Sequence, residues 1–356
     1  MNLGQLLILR VNELRWHSSL ARLLQRLAPG GVLIDTPLAG GAQTVSEFLC
    51  KVAETFPVVP FLALREEGGM MDPLQAFLPP LPSPRAAAEK GLAAVTRVGE
   101  LVGAAFQLLG FNTNLAPLLD LGTPAAESIS ETRAFSPDPQ RVANCGAAFL
   151  RGLERHNVIA CGKHFPGLVI AQSSSAAQPL VVPKPMAELW REDLVPYRAL
   201  LPRLTLVLLS TAAYKAYDFD WLQSAGLSHK ILEGLLRVKL GYKGVAIAYG
   251  LETEAVRGTL DLGEAAVQAL SAGCDALLLE NAEALEVAHE ALSAAQESGK
   301  LPRPRIEQAL KRVQVAKKNL KPPSGRVSKR SLDRLIREFT GFSREFAGGG
   351  RSGTRK

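Results

Sequence analysis

Short apolar runs alternate with stretches of helical period over the first 320 residues. Eight runs have the length and texture of strands: Leu6–Val11, Gly31–Thr36, Pro60–Arg65, Asn112–Leu121, Val158–His164, Leu204–Thr211, Gly244–Tyr249 and Cys274–Glu280. Some are apolar at consecutive positions, as in Leu206-Val207-Leu208-Leu209 and Ala276-Leu277-Leu278-Leu279. Such runs must be covered on both faces, which suits parallel strands flanked by helices. Between them, apolar residues recur three and four positions apart. Ser18–Ala28 carries Leu20, Leu23, Leu24 and Leu27 on one face, and Thr44–Phe56 opens with Thr44 and Glu47 spaced as a capping box. Further helices are predicted over Ala93–Leu109, Pro139–His156, Met186–Leu200, His229–Leu240, Glu264–Ala272, Ala282–Ser298 and Ile306–Asn319. Eightfold strand–helix alternation predicts an α/β fold, a single-domain (β/α)8 TIM-type barrel over residues 1–320. A doubly wound open sheet is the alternative. No GxGxxG or P-loop follows any strand, so it would lack a nucleotide site.

Composition narrows the picture. The chain has 356 residues, 47% of them apolar, a size that one barrel accommodates. No apolar run reaches the roughly 18 residues of a membrane span. Met1–Val11 lacks the basic start of a secretion signal. Cys50, Cys145, Cys161 and Cys274 are far apart, which fits a reducing, cytoplasmic setting. His17, His156, His164, His229 and His289 are scattered, so neither a metal site nor a cofactor is expected. The net charge of +7 is concentrated at one end. From Lys321 onward lie ten of the 41 Lys/Arg and three of the 34 Asp/Glu. Residues 321–356 therefore read as a basic tail, disordered at its Gly/Ser/Arg-rich end. Within it, Ser331–Phe346 has the spacing of a short basic helix, with Leu332, Leu335, Ile336 and Phe339 on one face. A solvated tail is the plainer reading; a scaffold whose tail binds an anionic partner, nucleic acid or membrane surface, is the weaker one.

Chemistry is expected where barrel strands end. The third strand ends in Arg65-Glu66-Glu67-Gly68-Gly69. The fourth offers Asp120, with Arg133 in the loop beyond. The fifth ends in Lys163-His164, ahead of the turn Phe165-Pro166-Gly167. The seventh gives Tyr249 and Glu252, with Glu254 close by. Lys163, His164, Arg133, Asp120 and Arg65 could together hold a hydroxylated or anionic ligand.

These residues carry a resemblance. Lys163-His164-Phe165-Pro166-Gly167 resembles the KHFPG signature of family 3 glycoside hydrolases, in particular the single-domain bacterial β-N-acetylglucosaminidases. Glu67-Gly68-Gly69 resembles the family's EGG. Asn114–Asp120 resembles its NxAPxxD strand, Arg133–Pro139 its R-S-F-x-x-D-P loop, and Ile231–Val245 the helix and turn before strand seven. The landmarks run in family order over roughly residues 3–320. The resemblance implies a barrel that binds a carbohydrate through Lys163, His164 and Arg133. It also implies two departures. At the family's aspartate nucleophile stands Tyr249, in Ala248-Tyr249-Gly250-Leu251-Glu252-Thr253. The loop that carries the family's Asp-His acid/base pair reads Gly167–Ala176 here, with Ser174 and Ala176 at those positions and no His, Asp or Glu. The acid before EGG becomes Arg65, and the arginine after it becomes Met70. The expectation is a β-N-acetylhexosaminidase-like barrel that is catalytically impaired. The alternative is an active retaining β-N-acetylglucosaminidase acting on cell-wall fragments. Its relocated groups would come from Tyr249 with Glu252 or Glu254 as base, or from Glu66 or Glu67 as acid.

Overall fold

The structure is a computed structural model that describes residues 1–122, 132–168 and 180–347. Its strands are β1 (Leu7–Val11), β2 (Gly31–Ile34), β3 (Phe61–Leu64), β4 (Thr113–Asn114), β5 (Ile159–Phe165), β6 (Val181–Val182), β7 (Leu206–Leu209), β8 (Ala213–Tyr214), β9 (Val245–Tyr249) and β10 (Ala276–Leu279). Eight close into a parallel barrel in the order β1-β10-β9-β7-β5-β4-β3-β2. Closure comes from the pairing of Leu7, Ile8 and Leu9 with Leu277, Leu278 and Leu279. This excludes the doubly wound sheet. Every residue of β2, β3, β7 and β10 is buried, as their unbroken apolar runs require.

The expected elements are present, with several differences. The fourth run forms a ladder only at Thr113–Asn114, because Pro117 has no N–H to give. The chain nevertheless follows β5, and Leu119 N–H donates to the Lys163 carbonyl. No capping box forms at Thr44. That helix, Gly41–Glu54, starts earlier, and the Thr44 hydroxyl donates to the Gly40 carbonyl inside it. The box occurs instead between Asp261 and Glu264. Met186–Leu200 breaks into Met186–Arg191 and Leu194–Leu200. The helix Lys230–Lys239 is wound as a π-helix. The small pair β6–β8 lies outside the barrel and was not legible as strands.

Helix Leu92–Leu109 is long and apolar enough by composition to cross a membrane, although Arg97 and Glu100 interrupt its apolar residues. In the fold it is a core helix packed on Pro139–Glu154. A Cβ on Gly99 would come within 2.4 Å of the Phe149 carbonyl oxygen, and one on Gly152 within 2.5 Å of Glu100 N. The two backbones touch where neither chain has a side chain.

The tail forms the expected helix, with a packing partner that the sequence does not reveal. Residues 329–347 form helix Lys329–Ala347, which packs on Leu92–Leu109 and buries Leu335, Phe339 and Phe342. Arg97 pairs with Glu338 at 2.9 Å and Lys90 with Glu345 at 2.8 Å. The helix expected over Ser331–Phe346 is present, two residues longer at its start and one at its end, and its apolar face is an inter-helix contact. Residues 348–356 lie outside the described residues.

At the opposite end from the strand carboxyl termini, Asp275 is wholly buried. It faces Arg237, Arg305 at 3.1 Å and Arg312 at 2.9 Å, and accepts the Ala246 N–H. This carboxylate ties two helices to the start of β10. Asp275→Asn should lower stability by about 3–5 kcal/mol in a denaturant titration, because Arg237 is left buried without its counter-charge. Phe339→Ala should cost about 3–5 kcal/mol if the terminal helix melts together with the barrel. A separate early transition that leaves the main one unmoved would mean that it does not.

Candidate functional site

Lys163 and His164 are neighbours in sequence, yet both serve the barrel mouth. In a regular strand their side chains would point to opposite faces. The ladder between β5 and β7 slips here: Lys163 pairs with Leu208 and Phe165 with Leu209. His164 is thus an extra residue in a bulge. Lys163 then faces inward, while Phe165 points out and packs edge-on against Tyr197 of helix Leu194–Leu200, 5.0 Å between centroids. Gly167 accepts from the Tyr214 hydroxyl at 2.5 Å, which fixes the turn after the strand.

Glu67 is the centre of the site. Its carboxylate receives the Lys163 ammonium at 2.5 Å and a two-pronged Arg133 guanidinium at 2.8 and 2.7 Å. Lys163 is 1% exposed and Glu67 is buried with it. Burial by itself would push the Glu67 carboxyl up, but Lys163 and Arg133 outweigh it and hold it at about 2. Burial pulls the Lys163 ammonium down, and Glu67 opposes the pull. The hydrogen bond to Glu67 raises Arg133 further. Two residues read as ligand contacts, Lys163 and Arg133, therefore spend much of their donor capacity on Glu67.

Beside this triad stands a second pair. His164 Nδ1 lies 2.7 Å from Asp120 Oδ2. The other Asp120 oxygen accepts the His164 and Leu168 N–H groups at 3.1 and 2.9 Å. Asp120 thus orients the imidazole more than it offers itself to a ligand. The Tyr249 ring, at the end of β9, sits 5.9 Å from the His164 ring at a 32° tilt. Burial, then the nearby Asp120, pushes its phenol up to about 12.

Arg65 lies off this centre, in a charged chain along the rim. Asp35 takes both Arg65 and Arg10, and Arg10 also reaches Glu280. Sequence reasoning did not single out Asp35 or Arg10. The available signal was a lone charge at the end of an apolar strand, Arg10 after Leu7-Ile8-Leu9 and Asp35 after Ile34. Glu252 is close to the same rim and accepts the Glu280 N–H at 3.0 Å. Burial raises its carboxyl, and its second oxygen is buried without a partner. Glu254 is exposed on the short helix Glu254–Arg257.

Glu66 is an internal fastener. Fully buried, it accepts the Gly68 and Leu74 N–H groups at 2.8 and 3.3 Å, and burial followed by the neighbouring Asp72 pushes its carboxyl far up. Glu66, hydrogen-bonded to Asp72 as well as to these two N–H groups, closes the loop after β3. Gly68, at φ 84°, has no room for a Cβ, which would meet the Pro82 carbonyl at 2.5 Å. Ser174 and Ala176 lie outside the described residues. No group of three or more metal-ligating side chains occurs among the described residues.

Known proteins resemble this chain in sequence and in fold. Residues 1–316 match the description "Glycosyl hydrolase family 3 N terminal domain". A β-hexosaminidase of Pseudomonas aeruginosa is 30% identical over 262 residues, 73% of this chain and 77% of the relative. An uncharacterized secreted glycosyl hydrolase of Arthroderma benhamiae is 33% identical over 233 residues, 64% of this chain but only 65% of that protein's length. Among solved structures, the β-N-acetylglucosaminidase of Thermotoga maritima superposes with a TM-score of 0.81 at 28% identity, over 91% of this chain and 68% of its own. By sequence and by its closed barrel, the chain belongs to glycosyl hydrolase family 3.

Proposed function

We propose that this barrel binds a carbohydrate of the N-acetylhexosamine class at its mouth without hydrolysing it by the two-carboxylate route. The observation that carries the reading is Tyr249. A retaining glycosidase needs one carboxylate to attack and a second acidic group about 5 Å away to protonate the leaving oxygen. At the end of β9 there is instead a phenol held neutral at physiological pH. Among the described residues, the carboxylates facing the same space are both engaged. Glu67 is locked between two cations and stays ionised, so it has no proton to donate. Asp120 holds the His164 imidazole and two backbone N–H groups. What is left for a sugar is one edge of His164, the flat face of Tyr249 and the remaining donors of Arg133. These are groups that bind hydroxyls and pyranose faces rather than cleave bonds.

A second reading, hydrolysis through relocated groups, draws on Glu252. A carboxyl raised by burial, with one buried oxygen unpartnered, has the character of a general acid. It serves only if that oxygen reaches the glycosidic oxygen of a bound sugar.

With a chromogenic N-acetylglucosaminide, turnover should be at least about 10³-fold below that of the Pseudomonas relative assayed alongside. Comparable turnover, abolished by Glu252→Gln or Tyr249→Phe, would sink the binding-only reading. Calorimetry with N-acetylglucosamine should give binding that His164→Ala weakens roughly tenfold. The Glu67 triad sets a pH dependence. A carboxyl held at about 2 stabilises the fold above its unfolded value near 4.5, and that contribution fades as pH falls towards 2. The stability gap between the native protein and Glu67→Gln should therefore be about 3 kcal/mol at pH 6 and shrink steadily between pH 5 and 2. A gap constant over that range would show that the carboxylate is not so held.

A further inference from the structure

The loop after β7 carries two aromatic rings that the site described above does not use. Phe219 is 78% exposed and Trp221 67%. They occupy the tip of an excursion whose ends are tied together: Ala225 N–H donates to the Ala212 carbonyl at 3.0 Å, and Ala213 bridges to Ser224. Within it, the N–H groups of Tyr217 and Asp218 both donate to the Tyr214 carbonyl. Asp218 is turned inward and buried, so the chain at the tip is held while the next rings project. The loop springs from the carboxyl end of a barrel strand, the same end as Lys163, His164 and Tyr249. It is joined to that site directly, since Tyr214 holds the Gly167 carbonyl in the turn after His164.

Large exposed rings in a folded chain call for an occupant. Two rings on one loop are too small a surface for a stable protein interface, which buries about 800 Å² on each partner. They match the apolar face of one or two sugar rings. The exposed carboxylate of Asp220 lies between them in sequence and can accept hydrogen bonds from hydroxyls. We propose that Phe219 and Trp221 form a second carbohydrate contact, at which a longer N-acetylhexosamine oligomer stacks while its terminal residue occupies the mouth beside His164 and Tyr249. This rests on the carbohydrate reading of the mouth and extends it from a single sugar to a chain.

The probes are N-acetylglucosamine and its β-1,4-linked tetramer, titrated calorimetrically into the full chain. The tetramer should bind at least about tenfold tighter than the monomer. Trp221→Ala should remove that gain and leave monomer affinity unchanged, and Phe219→Ala should reduce it. Both positions are exposed, so an unchanged melting curve is expected, and either variant alone carries the test. Equal affinity for the two probes, or a gain that survives both substitutions, overturns the second contact while the mouth reading stands. If neither probe binds the native chain, the mouth reading fails and takes this inference with it. A concentration-dependent dimer in sedimentation that Trp221→Ala abolishes, with tetramer affinity untouched, would assign the rings to a second copy of the chain and overturn the proposal.

Discussion

The carboxylate of Glu67 is what the mouth of this barrel is built around. It draws together the end of β3, the end of β5 and the segment that carries Arg133. Neither Lys163 nor Glu67 is tolerable alone at that depth, since an unpaired buried charge costs several kcal/mol. Together they form a compact group whose members cannot move independently. Glu66, one residue earlier, performs a complementary task. It accepts two backbone N–H groups and knots the loop behind Glu67 into one shape. The two adjacent glutamates are shifted in opposite directions, Glu66 upward by burial and then by Asp72, Glu67 downward because Lys163 and Arg133 outweigh its burial.

This division explains a local electrostatic neutrality. Lys163 and Arg133 exceed Glu67 by one positive charge, Asp120 beside His164 supplies the balancing negative one, and along the rim Arg10 and Arg65 share Asp35 and Glu280. A ligand arriving at the mouth meets little net field from these groups. Recognition by hydroxyl hydrogen bonds and ring faces follows more naturally than attraction of a strongly charged group. The basic residues that give the chain its net charge belong to the segment from Lys321 onward and not to this group.

Much of the barrel was legible because its strands are apolar on both faces. Runs such as Leu206–Leu209 leave little choice but a covered parallel sheet. The polar groups that gather at the mouth were legible too, as short motifs placed at strand ends. What escaped was anything decided by contact between distant segments. Glu67 reads as a spare acid until Lys163 and Arg133 are seen against it. Phe339 reads as the face of a free helix until Leu92–Leu109 is seen to cover it. Thr44 and Glu47 have capping spacing, but the preceding Gly40 and Gly41 let the helix begin earlier. The exposure of Phe219 and Trp221 is likewise a property of the fold, because in sequence they are two more aromatics in a mixed loop.

The bulge at His164 has a consequence for how such a protein can change. Lys163 inward followed directly by Phe165 outward is the ordinary alternation of a strand, so His164 is surplus to the ladder. Its backbone has other work: the His164 N–H donates to Asp120, and its carbonyl accepts the Gly167 N–H in the turn that follows. The ring at the mouth is thus carried by a residue that strand pairing does not use, and a change of side chain there alters the mouth while leaving the ladder and the turn their backbone bonds.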